Sequence, residues 1–184
     1  KKMESTILEL SNHIKNNSII NLKIFRKNNP YVDFSVLQST KINLVKLCIE
    51  YGSFDSFVFL AKNGLVFLQT YFCPISEAVI RKDIRFVEYF LENGLDPNKE
   101  SLGESSPLYW ACKEEFRKMD IIKTLIRYKA DINKVLKVTG FSPFSSICQS
   151  RKDDLDVYFN IFKENGLDFY NKWGVPHIIS ACES

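Results

Sequence analysis

Apolar and polar positions along the chain alternate with a helical rather than a strand period. The segments at residues 22–29 (LKIFRKNN), 57–64 (FVFLAKNG), 87–94 (VEYFLENG), 122–129 (IKTLIRYK) and 159–166 (FNIFKENG) share one layout: apolar residues about one turn apart, a polar pair, then in most cases Gly. This pattern predicts five amphipathic helices, each closed by a left-handed residue of the kind that Gly or Asn adopts at least cost. Four prolines run in step with these endings. Pro74, Pro107, Pro143 and Pro176 are spaced by 33, 36 and 33 residues, and each opens a short apolar segment suited to a helix with Pro in its first turn.

The regularity is that of a repeat, each unit reading helix, short turn, helix, loop. After the helix endings come Leu95-Asp96-Pro97-Asn98, Ala130-Asp131-Ile132-Asn133 and Leu167-Asp168-Phe169-Tyr170, and turn-forming residues lead from there to the next proline. The unit Ser106-Pro107-Leu108-Tyr109-Trp110-Ala111-Cys112 resembles the Thr-Pro-Leu-His-x-Ala-Ala opening of the ankyrin repeat. Leu125 and Ile126 resemble that family's paired leucines, and Ala130-Asp131-Ile132-Asn133 its Ala-Asp-Ile-Asn ending, with Lys129 in the Gly place. The unit opening at Pro74 ends Asn93-Gly94-Leu95-Asp96-Pro97-Asn98. The unit from Gly140 ends Asn165-Gly166-Leu167-Asp168, again close to the family pattern.

The resemblance weakens toward the N-terminus. A unit spanning about Leu44 to Val66 places Cys48 in a small-residue position, Tyr51 and Gly52 at the turn between helices and Gly64 at the end, but has no proline; the first, about Thr6 to Asn29, is recognisable mainly by its ending. The resemblance implies an all-α solenoid of ankyrin-type helix-turn-helix repeats, forming one curved domain over residues 1–184. In that layout 1–33 is a helical cap or divergent repeat, 34–70, 71–103, 104–139 and 140–172 are repeats, and 173–184 begins a partial or capping repeat. The family's His after Pro-Leu is replaced by Ser76, Tyr109 and Ser145, and two or three residues are added between helices near Phe116 and Asp153. Loss of that His removes the usual hydrogen bonding between neighbouring units. Stacking is then expected to rest on aromatic packing, for which 15 Phe and 8 Tyr are available.

Composition narrows the chemistry. His13 and His177 stand at opposite ends of the chain, which leaves no Ser-His-Asp or Cys-His arrangement. Cys48, Cys112, Cys148 and Cys182 fall in or beside small-residue positions of successive first helices. With no Cys-x-x-Cys pair, they read as buried substitutes for Ala rather than as metal ligands. No phosphate-binding Gly-rich loop occurs among seven glycines, and Asp153, Asp154 and Asp156 read as a helix N-terminus rather than a calcium loop. The expectation is therefore no enzyme activity, no cofactor and no metal.

With 25 Lys and Arg against 22 acids, interspersed, the net charge of +3 shows no basic stripe for nucleic acid. Five cysteines without an apolar leader point to a reducing compartment, the cytosol or nucleus, or a host cytosol for a parasite, virus or intracellular bacterium. The apolar run from Phe57 to Phe72 is broken at Lys62-Asn63-Gly64, short of the roughly 20 residues that span a bilayer. Met3 reads either as a start behind a short tag or as an internal residue of something longer.

The function implied by the resemblance is binding of a protein partner, by a chain expected to be monomeric, through loop tips and the exposed ends of first helices on a concave face. Carried onto matching positions, this picks out Gln69, Thr70 and Phe72 with Arg81, and Leu102 and Ser105 with Lys113 and Glu114. It also picks out Val138, Thr139 and Phe141 with Gln149, and Lys172 with Trp173. Phe72, Phe141 and Trp173 are favoured because aromatic side chains dominate binding hot spots, with packing into the core as the competing reading. Two other function classes stay open: a targeting or regulatory segment of a larger enzyme or channel, and a nucleic-acid-binding repeat domain.

Overall fold

The computed structural model describes residues 2–36, 43–67, 72–101, 105–137, 139–149 and 154–170. The α-helices that lie wholly among them form five successive pairs: α1 (Lys2–Lys15) with α2 (Ile19–Asn28), α3 (Leu44–Glu50) with α4 (Phe54–Lys62), α5 (Pro74–Ile80) with α6 (Ile84–Glu92), α7 (Pro107–Cys112) with α8 (Met119–Arg127), and α9 (Pro143–Cys148) with α10 (Leu155–Glu164); residues 34–36 are also helical. The chain divides into two compact units, residues 1–68 and 69–184.

Two of the first helices start at a serine cap followed by proline, whose fixed φ suits the first helical turn. Ser106 and Ser142 accept from the backbone N–H of Tyr109 and Ser145 at 3.2 and 3.1 Å, and proline occupies the first helical turn after each. Ser145 completes a reciprocal box by accepting from the Ser142 N–H at 2.8 Å. In α3, which has no proline, Asn43 takes over by accepting from the Lys46 N–H at 2.8 Å. The helices end in paired reverse bonds. Leu65, Leu95, Ala130 and Leu167 donate back to Leu60, Phe90, Leu125 and Phe162 across left-handed residues Gly64, Gly94, Lys129 and Gly166. Lys129 holds φ 66° without the freedom of glycine, as does Lys82 (φ 59°) between α5 and α6.

One of the five expected left-handed endings is not left-handed. Asn29 closes α2 at φ −127° because Pro30 follows it, and the proline ring drives the preceding residue into the extended region. Between helices, the expected addition near Phe116 is present: residues 113–118 separate α7 from α8, where residues 81–83 suffice between α5 and α6.

Within residues 1–68, α1 packs on α2 and α3, α2 on α4, and α3 on α4, closing over Leu10, Ile14, Leu22, Phe25, Cys48, Phe57 and Leu60. Side-chain hydrogen bonds fix the stack at the inter-helix turns. Ser53 donates to the Ile14 carbonyl at 2.6 Å, and the Asn17 carbonyl oxygen accepts from the Ser56 N–H at 3.0 Å and hydroxyl at 2.9 Å.

Within residues 69–184, first helices stack on first helices (α5 on α7, α7 on α9) and α6 on α8, over Ile75, Ala78, Phe86, Phe90, Leu108, Ala111, Ile121, Leu125, Phe144 and Phe162. Here Lys118 also joins two inter-helix turns, donating to the Lys82 carbonyl at 3.1 Å, and further fixing bonds lie at the other edge, after the second helices. Asn98 donates to the Lys129 carbonyl at 3.1 Å and accepts from the Asp131 N–H at 2.6 Å. Asn133 repeats this toward Gly166 and Asp168 at 3.0 and 2.8 Å. Each Asn is itself set by an Asp two residues earlier, Asp96 or Asp131, accepting its backbone N–H at 2.8 and 2.9 Å.

The sequence expectation that units lacking the family His would rely on aromatic packing is thereby corrected. Ser76 and Ser145 turn inward to neighbours at their own helix starts, Tyr109 is buried, and asparagines supply the hydrogen bonds between units. Aromatic packing such as that of Phe144 on Phe162, 5.5 Å between ring centres, joins the two helices of one pair.

Candidate functional site

The long turn after α7 builds the most developed surface feature. Trp110, the fourth residue of α7, is half-buried; its indole N–H donates to the Ser101 hydroxyl at 3.3 Å, and the Lys113 ammonium lies 5.0 Å from its ring centre. Phe116 stands edge-on to the indole at 5.7 Å, drawn back by its own N–H donating to the Lys113 carbonyl at 3.0 Å. Residues 113–116 thus fold against Trp110 rather than hanging in solvent.

Arg117 locks this turn to the next repeat. Its guanidinium donates to the Cys112 carbonyl at 3.0 and 2.8 Å, reaches the Ser146 carbonyl of α9 at 3.4 Å, and lies 5.3 Å over the Tyr158 ring of α10. Capping a helix end with a cation is favourable because the last carbonyls of a helix have no partner within it and carry the negative end of its dipole. Burial pushes the Tyr158 hydroxyl pKa up, and nearby Asp154 adds to the shift while Arg117 opposes it.

Between the two first-helix ends an open groove of about 280 Å³ is lined by Lys113, Glu114, Glu115, Ser146 and Gln149. It presents an ammonium, two carboxylates and an amide. Lys113, Glu114 and Gln149, picked out from two different units of the sequence, are brought together here.

The other candidates are dispersed. Arg81 is exposed at the end of α5 and pairs with Glu77 at 3.7 Å. Phe72 and Phe141 are half-buried, neither core nor fully projecting; the Phe141 carbonyl accepts from the Leu136 N–H at 2.8 Å and its N–H donates to the hydroxyl of exposed Thr139 at 3.4 Å. Ser105 is buried, its carbonyl taken by the Ser101 N–H at 3.1 Å, so it shapes the loop before α7 from inside. Gln69, Thr70, Leu102, Val138, Lys172 and Trp173 lie outside the described residues.

Sequence reasoning passed over Trp110 and Arg117. Trp110 sits at the variable position between Tyr109 and Ala111 of the best-matched unit, a signal for exposure that was readable. Nothing local in the sequence announces that Arg117 would turn back to the carbonyl of Cys112.

Burial pushes the Cys48 and Cys112 thiols far above their ordinary value, which holds them protonated. His13 pairs with Glu9 at 3.5 Å and stands edge-on to Phe25. Among the described residues no group of three or more His, Cys, Asp or Glu is placed to hold a metal ion, and no helix is long and apolar enough to cross a membrane. Asp154 stands at the N-terminus of α10, where the acidic run was expected, but its side chain makes no capping hydrogen bond and its Oδ1 is buried without a hydrogen-bond partner; Asp153 falls outside the described residues.

A family model for the ankyrin repeat matches residues 104–136, from the loop before α7 to just beyond α8. No curated protein sequence gives a significant match to the chain.

Proposed function

Taking this chain as an ankyrin-repeat protein, we propose that it is a non-catalytic recognition module that binds a protein partner across the first-helix ends and preceding loops of residues 69–184. Ankyrin repeats are in general protein-interaction modules and non-catalytic scaffolds. The observation that carries the reading is the groove at Lys113, Glu114 and Gln149, walled by a turn that Arg117 and Trp110 hold in place. A preordered polar groove beside a half-exposed Trp suits recognition, because little conformational freedom is lost on binding and Trp contributes disproportionately to interface energy.

Site-specific photocrosslinking in cells of the source tests this. A photoreactive residue at Gln149 or Glu114 should crosslink one protein reproducibly, and the same residue at Lys123, exposed on α8, should not. Equal crosslinking from Lys123, or none from either groove position, would contradict the reading.

A further inference from the structure

A second surface lies on the outward side of α2. With about 100° per residue, Leu22 and Phe25, both buried, define the side facing the core, and Ile20 and Ile24 fall opposite them. Ile20 is 74% exposed and Ile24 52%, one turn apart, and Tyr31 just past the helix end is 97% exposed. Lys23 and Lys27, also exposed and one turn apart, run alongside the isoleucines, with Asn21 and Asn28 on the other flank. The helix contains no acid from Ile19 to Asn28. The surrounding region shares this bias: residues 1–68 hold nine Lys and Arg against five acids, while residues 69–184 hold sixteen against seventeen.

We propose that this face docks an acidic amphipathic helix of a protein partner. Two β-branched residues at i and i+4 are the anchor spacing with which one helix reads another, and a lysine row beside them selects a partner carrying Glu or Asp along its seam. The apolar strip is too narrow for a lipid surface, which demands a broad apolar face sunk into the headgroups; here the broad face of α2 is already committed to the core.

The proposal is independent of the groove around Lys113, and its test uses defined probes on the full chain. The first probe is an amphipathic peptide of roughly 15–20 residues, the length at which isolated helices become stable, with Leu at i and i+4 flanked by Glu. A Lys-for-Glu version, a composition-matched scramble and phosphatidylserine vesicles complete the set. The Glu peptide should bind. Replacing Ile20 and Ile24 together with Asn should weaken it by about tenfold or more, and Trp110→Ala should leave it unchanged. Lys23→Glu with Lys27→Glu should abolish binding of the Glu peptide and create binding of the Lys peptide, a gain that a misfolded variant could not show. Equal binding of the scramble, unaltered affinity in the charge-reversed chain, or capture by vesicles without capture by the Glu peptide would each overturn the proposal.

Discussion

Residues 1–68 and 69–184 stack the same kind of helix pair but differ in where their ties concentrate. In the first unit the ties are at the inter-helix turns, from Asn17, Ser53 and Ser56; in the second, bonds from the inter-helix turn at Arg117 and Lys118 are joined by ties that follow the second helices, from Asn98 and Asn133. The sequence difference behind this is small. Where the second unit has Asp96-Pro97-Asn98 and Asp131-Ile132-Asn133, the corresponding stretch of the first unit, after Asn29, reads Tyr31-Val32-Asp33, with Tyr in place of the Asp that sets the turn and Asp in place of the amide that reaches onward. Hydrophobic burial determines that repeats stack, and a few polar side chains determine where the register is fixed. The family match at residues 104–136 falls on a repeat whose carboxyl end carries the Asp-x-Asn tie.

If both units depend on burial for most of their stability, matched core truncations should cost alike. Leu60 and Leu125 occupy the same place in their second helices, and both are fully buried. Leu60→Ala and Leu125→Ala should each lower unfolding free energy by about 2–5 kcal/mol in urea titrations. A loss below about 0.5 kcal/mol at either would place that leucine on the surface and break the equivalence.

The ties themselves should have smaller and regional effects. Asn133→Ala removes two hydrogen bonds from partly exposed positions and should cost about 1–2 kcal/mol, as should Asn17→Ala. Hydrogen exchange should separate them. Asn133→Ala should accelerate exchange around Asp131 and Asp168 and spare the turns at Asn17 and Ser53, and Asn17→Ala should do the reverse. Acceleration spread evenly over both units would mean that the ties are not local.

A gain is expected where the second unit departs from the family pattern. Lys129 holds a left-handed φ of 66° in the place glycine occupies at residues 64, 94 and 166, so Lys129→Gly should raise stability by about 0.5–1 kcal/mol. A loss would show that the lysine side chain contributes more than its backbone strain costs. The smallest perturbation is chemical: in native protein, half-exposed Cys148 should react with iodoacetamide ahead of Cys48 and Cys112, whose buried thiols stay protonated. Rapid modification of Cys112 would contradict the closed packing around it.

Much of this fold is legible in the sequence because its signals are local. Proline spacing, helix period and glycine endings each depend on a few neighbouring residues, and the helices at Pro74, Pro107 and Pro143 begin where those signals put them. The misread ending at Asn29 was also local, since Pro30 was visible and outweighs the preference of Asn for left-handed backbone. The ties are long-range: Asn98 meets Lys129 and Asn133 meets Gly166, so the tetrapeptides were readable as turns but not as bridges. The site divides the same way. Lys113, Glu114 and Gln149 follow from position within a repeat, whereas the clamp made by Arg117 and the support given to Trp110 appear only when neighbouring repeats are stacked.

The recognition face proposed around Trp110 is open to direct test. Its most direct measurement is the dissociation constant of the protein crosslinked from Gln149, determined for the parent chain and for Trp110→Ala, alongside their melting temperatures. The account predicts affinity weakened by about 2 kcal/mol, roughly thirtyfold, with cooperative unfolding retained. Unchanged affinity in a folded Trp110→Ala chain would contradict it.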